Sequence, residues 1–311
     1  MCHNNIMNKL TSKDSSYAFL FGFLACQASV VFFTIFGLII CSIFKIETTQ
    51  FELFLNQSYG YLLGVLAMDA GLLLTFLFIN KNKDNKIISK PNTKRILLYT
   101  LIAVASFFCL YPLIVCIDSL LIKLNIPLNS IPYTLDTKGY FISIVSLVIL
   151  PAVCEELLFR GLIFKGLKKH GKAFAIMITS VMFAIFHMSI SQTVYPILFG
   201  LLLSVIMFYE NNILYTILVH LINNFLSLTL SYFNISLVFN HWSYILLATT
   251  LACIFIAFVL YFTIKNNKEN EKQPLNKAEK IVLACCLAIM IIFWIITFLT
   301  SILWKTKISL R

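Results

Sequence analysis

YFISIVSLVILPAVCEELLFR, residues 140–160, decides how the rest of the chain is read. Its first eleven positions are apolar except for Ser143 and Ser146, with no polar stripe recurring at helical spacing. At about 20 residues it is long enough to cross a hydrocarbon layer of ~30 Å. A helix that is apolar all round belongs in lipid or in a large core. Yet this one carries Glu155, Glu156 and Arg160 at its end, and ionisable groups at membrane depth are costly enough to mark function.

Working outward, comparable apolar stretches fall at about 17–44, 58–79, 95–122, 173–189, 194–209, 212–233, 243–264 and 281–304. With 140–159 they make nine. The runs are continuous, which speaks against the alternation of membrane β-strands. Composition agrees: 60% of the 311 residues are hydrophobic, 12% are charged, and the mean hydropathy is +0.90. A soluble domain is nearer half apolar and a quarter charged. The expected fold is an all-α polytopic transmembrane helix bundle of about 8–9 membrane helices.

A net charge of +11 could suggest a nucleic-acid partner, but the basic residues sit in short runs between apolar segments and form no separate domain, so none is expected. With a cytoplasmic N-terminus and nine crossings, eighteen of the 24 Lys and Arg fall inside and six outside. That asymmetry orients the chain, and the basic loops suit anionic lipid headgroups. Localisation is therefore expected at the cell membrane, multi-pass, with the N-terminus cytoplasmic. The first apolar run is about twice a signal-peptide core and no A-x-A-like site follows it, so it reads as an uncleaved first helix. The nine cysteines are odd in number and contain no C-x-x-C, which indicates neither a disulfide framework nor a zinc knuckle. Three parts follow: 1–139 with membrane helices 1–3, 140–233 as a catalytic membrane core, and 234–311 as C-terminal helices. In the last part, 281–304 reads as an appendage.

Eight ionisable side chains lie within or at the ends of these spans: Asp69, Asp118, Glu155, Glu156, Arg160, His187, Glu210 and His220. Glu156 and Arg160 are four apart with the acid on the N-terminal side, the better order for a helical ion pair. Glu155 points about 100° away from Glu156 and is left to face a cavity. Pro151, one turn earlier, kinks the helix and frees a carbonyl. Phe183-Ala-Ile-Phe-His187 puts a histidine near the end of one apolar helix. His220-Leu-Ile-Asn-Asn224 puts a histidine and an amide on one face of another.

Glu-Glu-x-x-x-Arg, Phe-x-x-x-His and His-x-x-x-Asn, in this order on successive membrane helices, resemble the CAAX prenyl protease and bacteriocin-processing (CPBP, or Abi) intramembrane protease family. The resemblance covers about 140–230. It implies an endopeptidase acting on membrane-associated proteins or peptides, in CAAX-type processing, peptide maturation or bacteriocin immunity. It further implies Glu155 as general base for an attacking water, His187 as a holder of that water, and His220 and Asn224 as donors to the oxyanion. The partners so implied are membrane lipids and a peptide or membrane-protein substrate. The family is often described as metalloprotease, and Glu155, His187 and His220 would make a His₂Glu zinc set. No H-E-x-x-H helix is present, and the reading leans to metal-free catalysis.

Other readings are weaker. Cys154 adjoins Glu155, but apolar surroundings disfavour the thiolate a nucleophile needs. Asp69, in Met-Asp-Ala-Gly, is expected to pair with a polar group of another helix. A proton-coupled transporter would show internal repeats and broken helices at matched positions, and no repeat is visible. A non-catalytic immunity or scaffold protein on the same fold differs only in activity.

Overall fold

In a computed structural model, 9–55, 58–124, 126, 136–233, 247, 250–251, 254 and 273–309 are described. The expected segment at 243–264 lies almost wholly outside the described residues. The described helices are α1 (Ser12–Phe44), α2 (Thr48–Leu55), α3 (Ser58–Asn80), α4 (Thr93–Lys123), α5 (Thr137–His170), α6 (Lys172–Phe186), α7 (Val194–Glu210), α8 (Ile213–Tyr232) and α9 (Lys277–Ser309). Six of them, α1, α3, α4, α5, α8 and α9, are long and apolar enough to cross a membrane. Among the described residues there is no β-strand.

The bundle is apolar outside as well as inside. Phe32, Phe78 and Leu97 are among many large side chains exposed on the outer faces. Such a surface is stable against acyl chains and not against water. Core contacts gather instead around α5, where Phe159, Leu162, Ile163 and Phe164 are fully buried. Where helices approach closely they do so over small residues, as membrane helices do. At Gly71 of α3 an added Cβ would come within 2.7 Å of the backbone of Ala25 on α1.

One end of the bundle collects the basic segments. The Thr11–Asp14 capping box opens α1, and Asp14 pairs with Lys83 at 2.9 Å. Asn85 donates to the Gly161 carbonyl at 2.8 Å, and Lys165 reaches Asn211 at 2.7 Å. Glu279, at the start of α9, accepts from Ser12 at 2.6 Å and from Lys169 at 3.0 Å. Segments from five parts of the chain thus share a single polar rim.

Two apolar segments differ from expectation. The stretches at 173–189 and 194–209 form α6 and α7, about 22 and 26 Å long, short of a ~30 Å crossing. They make an antiparallel hairpin that starts and ends at the basic rim: Lys172 meets Tyr209 at 2.7 Å, and the Ser180 and Ser204 hydroxyls lie 3.5 Å apart. Helix α6 stops at Phe186, where His187 caps it and Met188, at φ 50°, turns the chain away.

Candidate functional site

Helix α5 is not a regular α-helix. Two π-helical stretches, Ile144–Ile149 and Leu157–Phe164, flank the α-helical Leu150–Glu156 that carries both glutamates. Wider turns of this kind recur at functional sites because they rotate side chains off the helical register. Pro151 has no N–H to give the Leu147 carbonyl four residues back. The Asn224 Nδ2 of α8 donates to that oxygen across a long 3.4 Å.

Glu156 and Arg160 form the ion pair their spacing suggests, at 2.6 Å, and both are fully buried. Two charges withdrawn from solvent need more than each other. Arg160 also donates to the Gly200 carbonyl of α7 at 3.2 Å, and its guanidinium lies 4.7 Å over the Phe183 ring. Gly200 permits this approach: an added Cβ there would press within 3.3 Å of Phe183.

The spacing gave no sign of the third member. His220 Nδ1 lies 3.0 Å from Glu156 Oε1. A carboxylate paired to an arginine accepts, so Nδ1 carries the proton and the ring is oriented as second-shell carboxylates orient catalytic imidazoles. Its Nε2 then faces Glu155 Oε2 at 3.8 Å. Arg160, Glu156, His220 and Glu155 form one chain of charge and hydrogen bonding from the protein interior to a cavity. Phe183 and Phe199 meet the His220 ring edge-on at 5.8 and 5.5 Å and hold it from the sides.

His187 reaches the same place from the tip of the α6–α7 hairpin. Its Nδ1 lies 2.9 Å from the Phe183 carbonyl, one of those left without a helical partner at a C-terminus. A carbonyl only accepts, so Nδ1 donates and Nε2 is left as an acceptor. Phe183 touches this ring too, at 5.0 Å. The phenylalanine of Phe-x-x-x-His therefore packs against both imidazoles and the arginine.

Glu155, His187, His220 and Asn224 all line one cavity of about 930 Å³. A smaller cavity of about 380 Å³ adjoins it and shares His187, His220 and Asn224, but not Glu155. Counting residues from the rim along α6 and along α8 separately puts His187 deeper than His220. The levels agree once α8 is placed. Ile213 N–H donates to the Ile87 carbonyl at 2.8 Å, and the Ile213 side chain packs beside Gly161. Gly161 is about 13 Å in from the rim at His170, and His220 lies about 10 Å further along α8. Glu155 from His170 and His187 from Lys172 are each about 22 Å in. Asn223, the neighbour that competes with Asn224, is buried and accepts from Tyr195 Oη on the side of the smaller cavity.

Among the described residues no three His, Cys, Asp or Glu side chains come together as a group able to hold a metal ion, so Glu155, His187 and His220 do not form that group.

Two carboxylates that the sequence left without a role also line the larger cavity. Asp118 of α4 is half-buried there. Asp69 of α3 is 5% exposed, and its Oδ2 has no hydrogen-bond partner. The expected pairing of Asp69 with a polar group of another helix is therefore not found at that oxygen. Among the described residues the cavity has no lysine or arginine in its lining.

Residues 137–226 match the family model described as "Type II CAAX prenyl endopeptidase Rce1-like". That range runs from the first residue of α5 into α8 and takes in all three motifs. No curated protein and no solved structure matches the chain.

Proposed function

Because the chain belongs, through residues 137–226, to the CAAX-protease (CPBP) family, we propose that it is an intramembrane endopeptidase that uses water activated by Glu155. The observation that carries this reading is the asymmetry of the two adjacent glutamates. Glu156 is spent on Arg160 and His220, whereas Glu155 has 18% of its side chain exposed and lines the cavity.

In the proposed reaction a water in the cavity gives a proton to Glu155 as its oxygen attacks the scissile carbonyl. His187 Nε2, with its Nδ1 engaged by a backbone carbonyl, accepts the water's other hydrogen and orients it. The carbonyl oxygen becomes an oxyanion, to which the Asn224 amide donates after exchanging its long contact to Leu147. His220, its ring held at Nδ1 by Glu156, is assigned as the second group facing the oxyanion. As the C–N bond breaks, Glu155 returns its proton to the leaving amine, which restores the site. Glu156 holds the His220 ring throughout and touches no substrate. No metal is needed for these steps.

In this reading the larger and smaller cavities hold the peptide on either side of His187, His220 and Asn224. The basic rim faces the cytoplasm, as the inside excess of Lys and Arg supports. Residues 140–233 are the catalytic core, with 1–139 and 234–311 as flanking membrane helices. Prenylated proteins, maturing peptides and bacteriocins are the substrate classes the family resemblance suggests.

The test is cleavage of a peptide panel by detergent-purified protein, with products identified by mass and with a chelator in parallel. A single internal bond cut at an unchanged rate in chelator is expected. No cleavage of any peptide would favour the scaffold reading, and loss of activity restored by zinc would overturn the metal-free mechanism.

A further inference from the structure

The protein carries a net charge of +11, yet its central cavity is lined by three carboxylates, Asp69, Asp118 and Glu155, and among the described residues by no lysine or arginine. Three of its basic residues are engaged elsewhere: Arg160 by Glu156, Lys83 by Asp14, Lys169 by Glu279. The two imidazoles of the cavity are likewise committed at Nδ1, one to Glu156 and one to a backbone carbonyl.

Asp69 is the outlier. A carboxylate withdrawn from water is normally paired or hydrogen-bonded, since its desolvation is otherwise uncompensated. Asp69 is 95% buried by its 5% exposure, its Oδ2 has no partner, and it faces the space that Glu155 also lines. Its position is fixed by the close α1–α3 crossing at Gly71, two residues on. Packing holds this carboxyl group beside the cavity, and among the described residues no lysine or arginine of the lining pairs with it.

We propose that Asp69 is a specificity-determining residue that takes a cationic side chain of the peptide substrate, a lysine or arginine near the scissile bond. The inference rests on the protease reading and names its substrate class: basic segments of membrane-associated peptides. The cation supplies the counter-charge that Asp69 lacks, and in doing so sets the carbonyl against Glu155. A substrate carboxylate at the same place meets like charge from Asp69 and Glu155 and is rejected.

The test uses dye-labelled peptides in which one lysine is moved along a neutral sequence, each with a norleucine counterpart of similar length. Binding is measured to detergent-purified Glu155→Gln protein, alone and combined with Asp69→Asn or Asp69→Glu. At one position lysine should bind about tenfold more tightly than norleucine. That ratio should fall to about one with Asp69→Asn and be kept by the charge-retaining Asp69→Glu. In cleavage by protein with Glu155 intact, the same ratio should appear in KM. The proposal is overturned if lysine gives no advantage at any position, or if the advantage survives Asp69→Asn. It is equally overturned if Asp69→Asn slows lysine and norleucine peptides alike, which would mark Asp69 as sharing a proton with Glu155. Failure of every peptide to be cut would sink the protease reading, while the binding ratio would still decide the subsite.

Discussion

The cavity has two walls of opposite character. On the α5–α8 wall the buried charges are paired, Arg160 with Glu156 and Glu156 with His220, and Phe183 and Phe199 flank the His220 ring. On the α3–α4 wall Asp69 and Asp118 face the space without a cation in the described lining. A self-compensated network holds its members in one geometry, which is what general base and oxyanion chemistry need. An uncompensated wall suits a partner that brings its own charge. The proposed reaction and the proposed selection thus fall on different helices, and only the first set lies in the family-matched residues 137–226.

The sharpest break in this contrast comes from the paired wall. Arg160→Met leaves Glu156 buried without its cation, and the expected loss is about 4 kcal/mol of stability. Thermal unfolding in detergent reads it, and an unchanged midpoint would mean the pair is dispensable. Asn224→Ala should leave the fold intact and lower kcat about 100-fold with little change in KM, as loss of one oxyanion donor does. Steady-state kinetics on the preferred peptide separates the two constants.

The open wall should answer with the opposite sign. Asp69→Asn removes a buried carboxyl group with an unpartnered oxygen and is expected to stabilise the empty protein by about 1 kcal/mol, measured by the same unfolding assay. Destabilisation instead would mean Asp69 is paired in the folded protein. Smallest of all, Arg95→Ala breaks a rim pair with Glu210 in which the arginine is half exposed. Less than about 1 kcal/mol is expected, and a larger loss would show that the rim orders the site.

Much of this was legible in the sequence. Continuous apolar runs mark the spans, and the three motifs name Glu155, His187, His220 and Asn224, which the structure gathers on one cavity. The Glu156–Arg160 pairing follows from helical spacing alone. Other features depend on packing that local pattern does not encode. The Glu156–His220 contact joins residues 64 apart, and Asp69 lies 86 residues before Glu155. The level of His220 depends on the Ile87 carbonyl, which caps α8 well inside the rim. Hydropathy likewise does not separate a 15-residue hairpin arm from a full crossing, because both are predominantly apolar.

The account stands most directly on the difference between two neighbouring glutamates. Single-turnover cleavage of one peptide by folded Glu155→Gln protein, with unfolding measured on the same sample, tests it. The prediction is a native unfolding midpoint with the chemical step slowed about 10³-fold. Cleavage at the wild-type rate by that variant would contradict the assignment of Glu155 as the base.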